Sequence, residues 1–500
     1  MKKFFILTIV IILISCSTKR KEYQLKEVII AGRVLNPNPD ESLIEFTVNR
    51  IGVAHDRLSG RLTKDGSFKI KFKSYVPTDV WLVKMNFLIL THPGDSIFLE
   101  FDDSKENRLD MIKSIKFQGD ASILNNETAS FQKIYFASDI YANYDKKRKA
   151  IKEYNEIDFK KFRDSLHVAE TELLKKFTAD YYPSSETQDW IKIYLEVEYL
   201  RDLISYPDFH RMFNNLKREK WNVPITYYNF LKNHFPIIES NLINGYSISG
   251  FVNAYSVYIN EKSRYENKTF FSSIDTVRNH PDKLDSLRIF GIIKYTDDPL
   301  LRQMALTENL YQSLEQSNIR AFEKYKSTIE SYIVAPYLKE PLFDLYNQTV
   351  KRLDNPIIAS ESVLQKLTGT SIKSEIDKII ANNKGKVIYL DCWATWCGPC
   401  ISEFPNSKKL LTEYKNKNVA FIFICLDSEE INWEPIIKKY SLAGQHYFLT
   451  KNQSSDFREV FGIRGIPHYI LFDTKGNISE NGTASPSFIK DKLDNLLTEN

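Results

Sequence analysis

Two cysteines near the end of the chain, Cys397 and Cys400, constrain the fold more than any other feature. They follow residues 387–391, a short apolar run typical of a buried strand. A Cys-x-x-Cys pair at a strand-to-helix junction is an arrangement typical of redox sites. The spacing places Cys397 at the helix N-terminus, where unpaired backbone N–H groups and the helix dipole favour a thiolate.

The second cysteine lies about one helical turn further on, on the same face of the helix and within disulfide reach. The thiolate is the reactive form of a cysteine, so a lowered pKa would make Cys397 an attacking group near neutral pH. Cys400 would then resolve the mixed disulfide that forms when Cys397 attacks a disulfide of a partner. Pro399 is tolerated between them because the first turn of a helix does not need its N–H.

The hydrophobic period changes twice along the 500 residues, and a chain of this length is expected to form roughly three domains. Residues 25–120 alternate apolar and polar positions between turn signals, which predicts a small antiparallel β-sandwich. Residues 121–365 show the three- and four-residue spacing of amphipathic helices. Residues 366–500 alternate strand and helix patterns, including a last helix opened by Ser485-Pro486, and predict a helix-covered, partly parallel sheet.

The N-terminus has the pattern of a secretory signal: two lysines precede an apolar run at residues 4–14. A helix of that length rises only about 16 Å, which is too short for a bilayer core of about 30 Å. The run ends in Leu-Ile-Ser-Cys, which resembles a bacterial lipobox. We therefore expect residues 1–15 to be a signal peptide, Cys16 to receive lipid and residues 16–24 to form a tether. A plain secretory signal with an incidental cysteine is the alternative.

Residues 387–400 read Val-Ile-Tyr-Leu-Asp-Cys-Trp-Ala-Thr-Trp-Cys-Gly-Pro-Cys and resemble thioredoxin. With Glu403 and Pro405 they resemble the extracytoplasmic TlpA/ResA group of thioredoxin-like thiol:disulfide oxidoreductases. The turns at residues 65–68 and 93–96 resemble domains that precede such modules in Bacteroidetes lipoproteins.

The resemblance implies a thioredoxin-like C-terminal domain in a lipoprotein anchored in the cell envelope, with its domains facing the periplasm. It also implies reduction of disulfides in extracytoplasmic proteins, regeneration by an inner-membrane thiol donor, and no cofactor. The Gly-Pro pair between the cysteines resembles that of reducing thioredoxins.

Several site residues follow from the same resemblance. Glu403 would tune the pKa values of the cysteines and carry protons, and Asp391 matches the buried acid of thioredoxin. Strand alternation also places Asp391 in the interior, where desolvation would raise its pKa; the alternative is a solvated aspartate at a strand end. Pro467 matches a cis-proline that faces the dithiol and excludes metal, and the backbone of Ile466 would pair with an extended substrate. The residues expected to contact substrate are Trp396, Gly398, Pro399, Ile466 and Pro467.

A metal site is a competing interpretation, because Cys392, Cys397, Cys400 and Cys425 have a spacing that mimics a plant-type iron–sulfur site. However, Cys392 alternates with its neighbour on the predicted strand and faces away, while Cys425 lies in an apolar run typical of buried cysteine. A zinc site is not expected either, because the sequence has neither a second Cys-x-x-Cys nor paired histidines to complete the ligand set. His468 is expected to neighbour the site without acting as a ligand, and the peroxiredoxin pattern is absent. We expect no metal.

The charge balance argues against nucleic acid, because 68 Lys and Arg against 64 Asp and Glu leave a net charge of only +4. Residues 121–365 have neither a His/Cys/Asp cluster nor a Gly-rich phosphate loop. About two thirds of the chain precede the dithiol, which supports an alternative function: an interaction or assembly lipoprotein in which residues 25–365 bind a partner and the redox module is auxiliary.

Overall fold

The computed structural model describes residues 23–498, except for residues 40, 143, 219, 234–235, 273–279, 355–361, 368 and 370. The expected signal peptide, Cys16 and most of the expected tether lie outside the described residues. Within the described ranges, no helix combines the length and the apolar character needed to span a membrane.

The N-terminal domain consists of two four-stranded sheets, with strand orders β4-β1-β7-β8 and β3-β2-β5-β6. Its elements are β1 Lys26–Leu35, β2 Leu43–Val48, β3 Asp56–Arg61, β4 Ser67–Ser74, β5 Thr78–Leu82, β6 Phe87–Thr91, β7 Ser96–Asp102, α1 Arg108–Ser114 and β8 Lys116–Gly119, with a 3₁₀ turn at Val83–Met85.

The alternation predicted for this domain is clearest in β4, where Phe68, Ile70 and Phe72 are buried and the lysines between them are exposed. Buried side chains of both sheets join one hydrophobic cluster. The expectation of a purely antiparallel arrangement is wrong in one place, because β1 pairs with β7 in parallel. This pairing joins distant segments, so local alternation carries no information about its direction.

The middle of the chain is helical, as the three- and four-residue spacing predicts. Its helices are α2 Ser122–Ala137, α3 Asp139–Ala142, α4 Tyr144–Glu153, α5 Glu156–Tyr181, α6 Ser185–Phe213, α7 Gly245–Glu266, α8 Pro281–Tyr295, α9 Pro299–Glu315, α10 Arg320–Lys324, α11 Lys326–Tyr332 and α12 Pro336–Asp354, with 3₁₀ helices at Ile225–Asn233, Glu239–Asn244 and Phe270–Ser272. Capping side chains fix several of their starts: Asn155, Ser184 and Asp298 accept backbone N–H groups of α5, α6 and α9, respectively.

The C-terminal domain is a six-stranded sheet with helices on both faces and the strand order β14-β13-β10-β11-β12-β9. Its elements are β9 Ser362–Lys366, α13 Ile372–Asn382, β10 Val387–Trp393, α14 Gly398–Glu413, β11 Val419–Cys425, α15 Glu430–Tyr440, β12 Gly444–Phe448, α16 Lys451–Phe461, β13 His468–Phe472, β14 Ile478–Asn481 and α17 Lys490–Thr498. Strands β9, β10, β11 and β12 run parallel to one another, whereas β13 pairs with β10 and β14 in antiparallel fashion.

Two features of this domain differ from the sequence prediction. Strand β9 pairs with β12, so the boundary expected between residues 365 and 366 falls inside a strand of the sheet. The last helix begins at Lys490, not at the predicted Ser485-Pro486, which lies before it in a turn.

The N-terminal domain contacts the helical region through Asp79, a buried residue of β5 that binds the start of α7. Asp79 is fully buried and accepts hydrogen bonds from Asn49 Nδ2 (2.8 Å) and from the backbone N–H of Tyr246 (3.0 Å). Gly245 allows this approach, because a Cβ there would lie only 3.0 Å from the carbonyl oxygen of Asn49 and from Asp79 Oδ1. Desolvation nevertheless raises the pKa of Asp79 to about 7.

The helical region in turn contacts the C-terminal domain through Lys439 of α15. Its Nζ donates to the backbone oxygen (2.8 Å) and to Oε2 (2.6 Å) of Glu315, at the end of α9. The lysine side chain is buried at this contact.

Replacing Asp79 by Asn should change how the free energy of unfolding depends on pH. The native state retains the Asp79 proton up to about pH 7, whereas an unfolded aspartate loses it near pH 4, so raising the pH through this window destabilises the wild type. We expect Asp79→Asn to gain up to about 4 kcal/mol relative to the wild type across the window, measured by urea unfolding at a series of pH values. The exposed Asp145→Asn is the control, and a pH-independent difference for Asp79→Asn would contradict the assignment.

Candidate active site

The two cysteines of the site lie where β10 leaves the sheet and α14 begins. Cys397 is the N-cap residue of α14, and its Sγ accepts the backbone N–H of Cys400 at 3.3 Å. Pro399 occupies the first turn, as its missing N–H allows. The two cysteines form a disulfide, and both are nearly buried, with 4% of Cys397 and 1% of Cys400 exposed.

The position of Cys397 determines its chemistry after reduction. A thiolate there faces the positive end of the helix dipole and the unpaired N–H groups of the first turn, which lower the pKa of a thiol. Cys400 lies inside the helix and is less exposed than Cys397. The geometry therefore favours Cys397 as the sulfur that meets a partner.

Trp396 forms an exposed apolar surface immediately before the dithiol. Its side chain is 60% exposed, and its indole N–H donates to the backbone oxygen of Asp427 at 2.7 Å. Asp427 is itself held by Arg458, whose Nη2 lies 2.8 Å from Oδ2. The sequence prediction missed Asp427 and Arg458, because their link to Trp396 depends on how α16 packs in the folded domain.

Asp391 lies in the interior, as strand alternation predicts. It is 1% exposed, and neither carboxylate oxygen has a hydrogen-bond partner in the described part of the chain. Desolvation, with a smaller contribution from the negative charge of Glu403, raises its pKa well above the usual value. The rings of Tyr389 and Tyr469 stack beside it at 5.6 Å, since Tyr469 is the cross-strand neighbour of Asp391.

Glu403 lies on α14 one turn beyond Cys400 and is half-buried. Its Oε2 accepts the backbone N–H (3.1 Å) and the hydroxyl (2.7 Å) of Ser487, and Asn406 Nδ2 approaches it at 3.3 Å. Ser487 was not among the predicted site residues, because it lies 84 positions after Glu403 and only folding brings the two together. Phe488, next to it, is an apolar side chain with 74% exposure.

The peptide bond between Ile466 and Pro467 is cis, as predicted from the Gly-Ile-Pro segment. Pro467 is exposed, and Ile466 packs against the hydrophobic clusters on both faces of the sheet. One of these clusters contains Cys397 and Cys400, so Ile466 contacts the core that surrounds the dithiol.

Comparison with known proteins agrees with this geometry: residues 373–497 match the Redoxin family. The C-terminal domain is a redoxin domain.

Curated relatives of this domain are thiol-disulfide oxidoreductases. ResA of Oceanobacillus iheyensis is 27% identical over 131 residues, which are 26% of this chain and 66% of that protein. ResA of Halalkalibacterium halodurans is 29% identical over 116 residues, which are 23% of this chain and 61% of that protein. The chain thus spans less than two thirds of the length of these relatives. A putative thiol-disulfide oxidoreductase from Bacteroides vulgatus, solved in solution, is 36% identical, with a TM-score of 0.22, coverage of 24% of this chain and 79% of that chain.

The sheet separates Cys392 from the reactive pair, whereas Cys425 lies in the same hydrophobic cluster as the pair. Cys392 and Cys425 are both free and buried. Cys392 belongs to the hydrophobic cluster on the face of the sheet opposite the dithiol, so it cannot converge with Cys397 and Cys400 on a shared metal ion. Burial raises the pKa of Cys425 to about 12. His468 Nε2 lies 2.7 Å from Asn481 Oδ1.

Asp391→Asn should stabilise the redoxin domain increasingly as the pH rises. Because the pKa of Asp391 is raised, the native state retains a proton that the unfolded chain releases above about pH 4. Raising the pH therefore destabilises the wild type, whereas the Asn variant has no such proton to lose. Thermal unfolding at pH 6 and pH 9 measures the effect as a variant-minus-wild-type difference in melting temperature. Exposed Asp456→Asn serves as the control. An equal difference at both pH values would show that Asp391 does not titrate as proposed.

Proposed function

We propose that the chain is an extracytoplasmic thiol:disulfide oxidoreductase that reduces disulfides of partner proteins. The observation that carries the proposal is the Cys397–Cys400 disulfide at the N-terminus of α14 in a redoxin domain. The names of the curated relatives, which share this domain, support the reaction class.

The reaction starts from the reduced pair. The Cys397 thiolate attacks one sulfur of the partner disulfide, forms a mixed disulfide and releases the other partner sulfur as a thiolate. Cys400 then loses its proton and attacks Cys397 Sγ, which forms the intramolecular disulfide and releases the second partner thiol. Two electrons pass from the protein dithiol to the partner. The disulfide in the structure is the product state, and an inner-membrane thiol donor would restore the dithiol.

Two carboxyl groups near the pair are proposed proton carriers. Cys400 is almost completely buried, so its proton needs an internal acceptor when it attacks Cys397, and Asp391 can take this role only in its ionised form. Asp391 is buried without hydrogen-bond partners among the described residues, and Glu403 raises its pKa, which places the two acids within electrostatic reach. Half-buried Glu403 would pass the proton between Asp391 and solvent.

The partner would bind over the exposed residues that surround the sulfurs. Trp396, Gly398, Pro399 and Pro467 are exposed, and Ile466 is half-buried beside the dithiol core. An extended partner segment could pair with the backbone at Ile466, in the manner of strand addition.

The place of action is proposed from the N-terminal sequence. Acylation of Cys16 would anchor the chain in the inner membrane or outer membrane, since two or more acyl chains give stable attachment. The folded domains would then face the periplasm, where disulfide-containing partners are found.

Substitution of the two active-site cysteines should have different effects. Cys397→Ser should abolish reduction of insulin disulfides in the presence of dithiothreitol, because the attacking sulfur is lost. Cys400→Ser should instead accumulate a mixed disulfide with a partner, visible on non-reducing gels, because the resolving sulfur is lost.

Cys392→Ser is the matched control, since that thiol is buried on the other face of the sheet, and it should retain full activity. Full activity of Cys397→Ser would refute the proposal. Equilibration of the pair with glutathione tests the direction: a potential close to that of strong oxidants would replace reduction by oxidation of partners.

Cys16→Ser should release the protein from membranes. The wild-type chain, expressed in a bacterium with a lipoprotein pathway, should sediment with the membrane fraction and require detergent for extraction, whereas the variant should be found in the soluble fraction. Mass spectrometry of the N-terminal peptide would detect the acyl chains. An unlipidated wild-type N-terminus would support the plain secretory signal instead.

A further inference from the structure

A cavity of about 380 Å³ lies between the N-terminal domain and the helical region. We call it the interdomain cavity; β5 and α1 line it on one side, and α2, α5 and α6 line it on the other. Among the described residues, none that lines the cavity belongs to the redoxin domain. Its volume lies in the range of small-molecule sites, which is about 300–1,000 Å³.

Aromatic side chains are the largest group in the lining of the interdomain cavity. Eight lining residues carry aromatic rings, and two stacked pairs stand out: Phe131 with Tyr135, at 5.7 Å and 14°, and Trp190 with Tyr194, at 5.4 Å and 12°. Aromatic rings pack favourably against other planar rings in offset or edge-to-face arrangements. The walls therefore suit a flat ring.

Three lining side chains contribute N–H groups that have no hydrogen-bond partner in the described part of the chain. They are the indole groups of Trp81 and Trp190 and the amide of Gln132. Trp190 is 2% exposed and Gln132 is 3% exposed. Buried donors nearly always have acceptors in native proteins, so three unpaired donors around one cavity point to a missing acceptor.

Arg108 is a fourth group with unused donor capacity. Its Nε donates to the backbone oxygen of Met85 (2.7 Å), its Nη2 to that of Asn86 (2.6 Å), and its Nη1 to the hydroxyl of Tyr141 (3.3 Å). These contacts use three of its five N–H groups. Within the described residues, Arg108 forms no salt bridge.

The other basic side chains of the lining are already neutralised. Arg163 contacts Glu170 (3.0 Å) and Asp202 (2.8 Å), and Lys147 also contacts Asp202 (2.5 Å). Arg201 pairs with Glu198. Arg108 differs from these three residues, because its hydrogen-bond acceptors are two backbone oxygens and a hydroxyl, which carry no charge. It can therefore form a charge-assisted hydrogen bond with an anion.

We propose that the interdomain cavity binds a small planar aromatic carboxylate. The aromatic walls hold its ring, and the guanidinium of Arg108 and the unpaired N–H groups hold its carboxylate oxygens. Four of the unused groups are donors, so the ligand has to supply acceptors. The lining also holds one unpaired acceptor, Glu198 Oε1, which a ring N–H such as that of indole would satisfy. A neutral sugar has neither a flat ring for the aromatic walls nor a charge for Arg108, so it fits this lining less well. The proposal does not depend on the redox activity, because no residue of the dithiol site takes part.

Calorimetric titration of the full chain with three probes tests the ligand class. Indole-3-acetate should bind saturably at millimolar or lower concentration. Indole-3-acetamide, which keeps the ring but lacks the charge, should bind at least tenfold more weakly, and glucuronate, which keeps the carboxylate but lacks an aromatic ring, should also bind at least tenfold more weakly. Absence of saturable binding by indole-3-acetate would mean that only water fills the cavity and would overturn the proposal, as would equal binding of the three probes.

Two variants test the residues. Gln132→Met keeps the approximate volume and removes the unpaired amide, so it should weaken indole-3-acetate binding about tenfold while the melting temperature stays the same or rises. Arg108→Gln should abolish the preference for the acetate over the acetamide. Arg148→Gln, a cation over Phe213 outside the cavity, is the matched control and should bind like the wild type. Unchanged binding by Gln132→Met and Arg108→Gln would overturn the proposal even if both variants were less stable.

Discussion

Burial of β10 on both faces is the constraint on which the redoxin domain depends. All seven residues of this strand are buried, and it lies between β11 and β13 in the sheet. Because successive side chains point to opposite faces, Asp391 lies in the interior on the dithiol side and Cys392 on the other side. The same strand ends directly before the loop that leads to Cys397. One element thus provides a desolvated acid and delivers the reactive sulfur to a helix N-terminus.

A buried carboxyl group without hydrogen-bond partners lowers the stability of the folded state, so a sequence selected only for stability would have an apolar residue at such a position. Asp391 departs from this expectation on the dithiol side of the sheet, where the proposed mechanism needs a buried group that exchanges a proton. Asp79 shows that burial alone is not the signature of the site, because its carboxylate has two hydrogen-bond donors and holds the start of α7. The absence of donors around Asp391, within the described residues, distinguishes the two acids.

The sequence predicts elements whose pattern is local. The alternation of β4, the helical spacing of α5 and the apolar run of β10 all indicate the correct structure, and the dithiol follows from its spacing. Strand β9 was missed because most of its residues are at least partly exposed and its strand character depends on pairing with β12. Ser487 and Asp427 were missed for a related reason: the residues that they contact are distant in sequence, so only the folded domain reveals them.

Under the proposed function, the limited exposure of Cys397 restricts the kind of protein that can be a substrate. Displacement at sulfur requires the attacking atom to approach along the line of the bond that breaks. A sulfur that is only 4% exposed, between the exposed neighbours Trp396 and Gly398, can be approached in that way only by a disulfide on a projecting or unfolded segment. The domain would therefore select its targets by the mobility of the chain around the disulfide, and disulfides in tightly packed interiors would escape reduction.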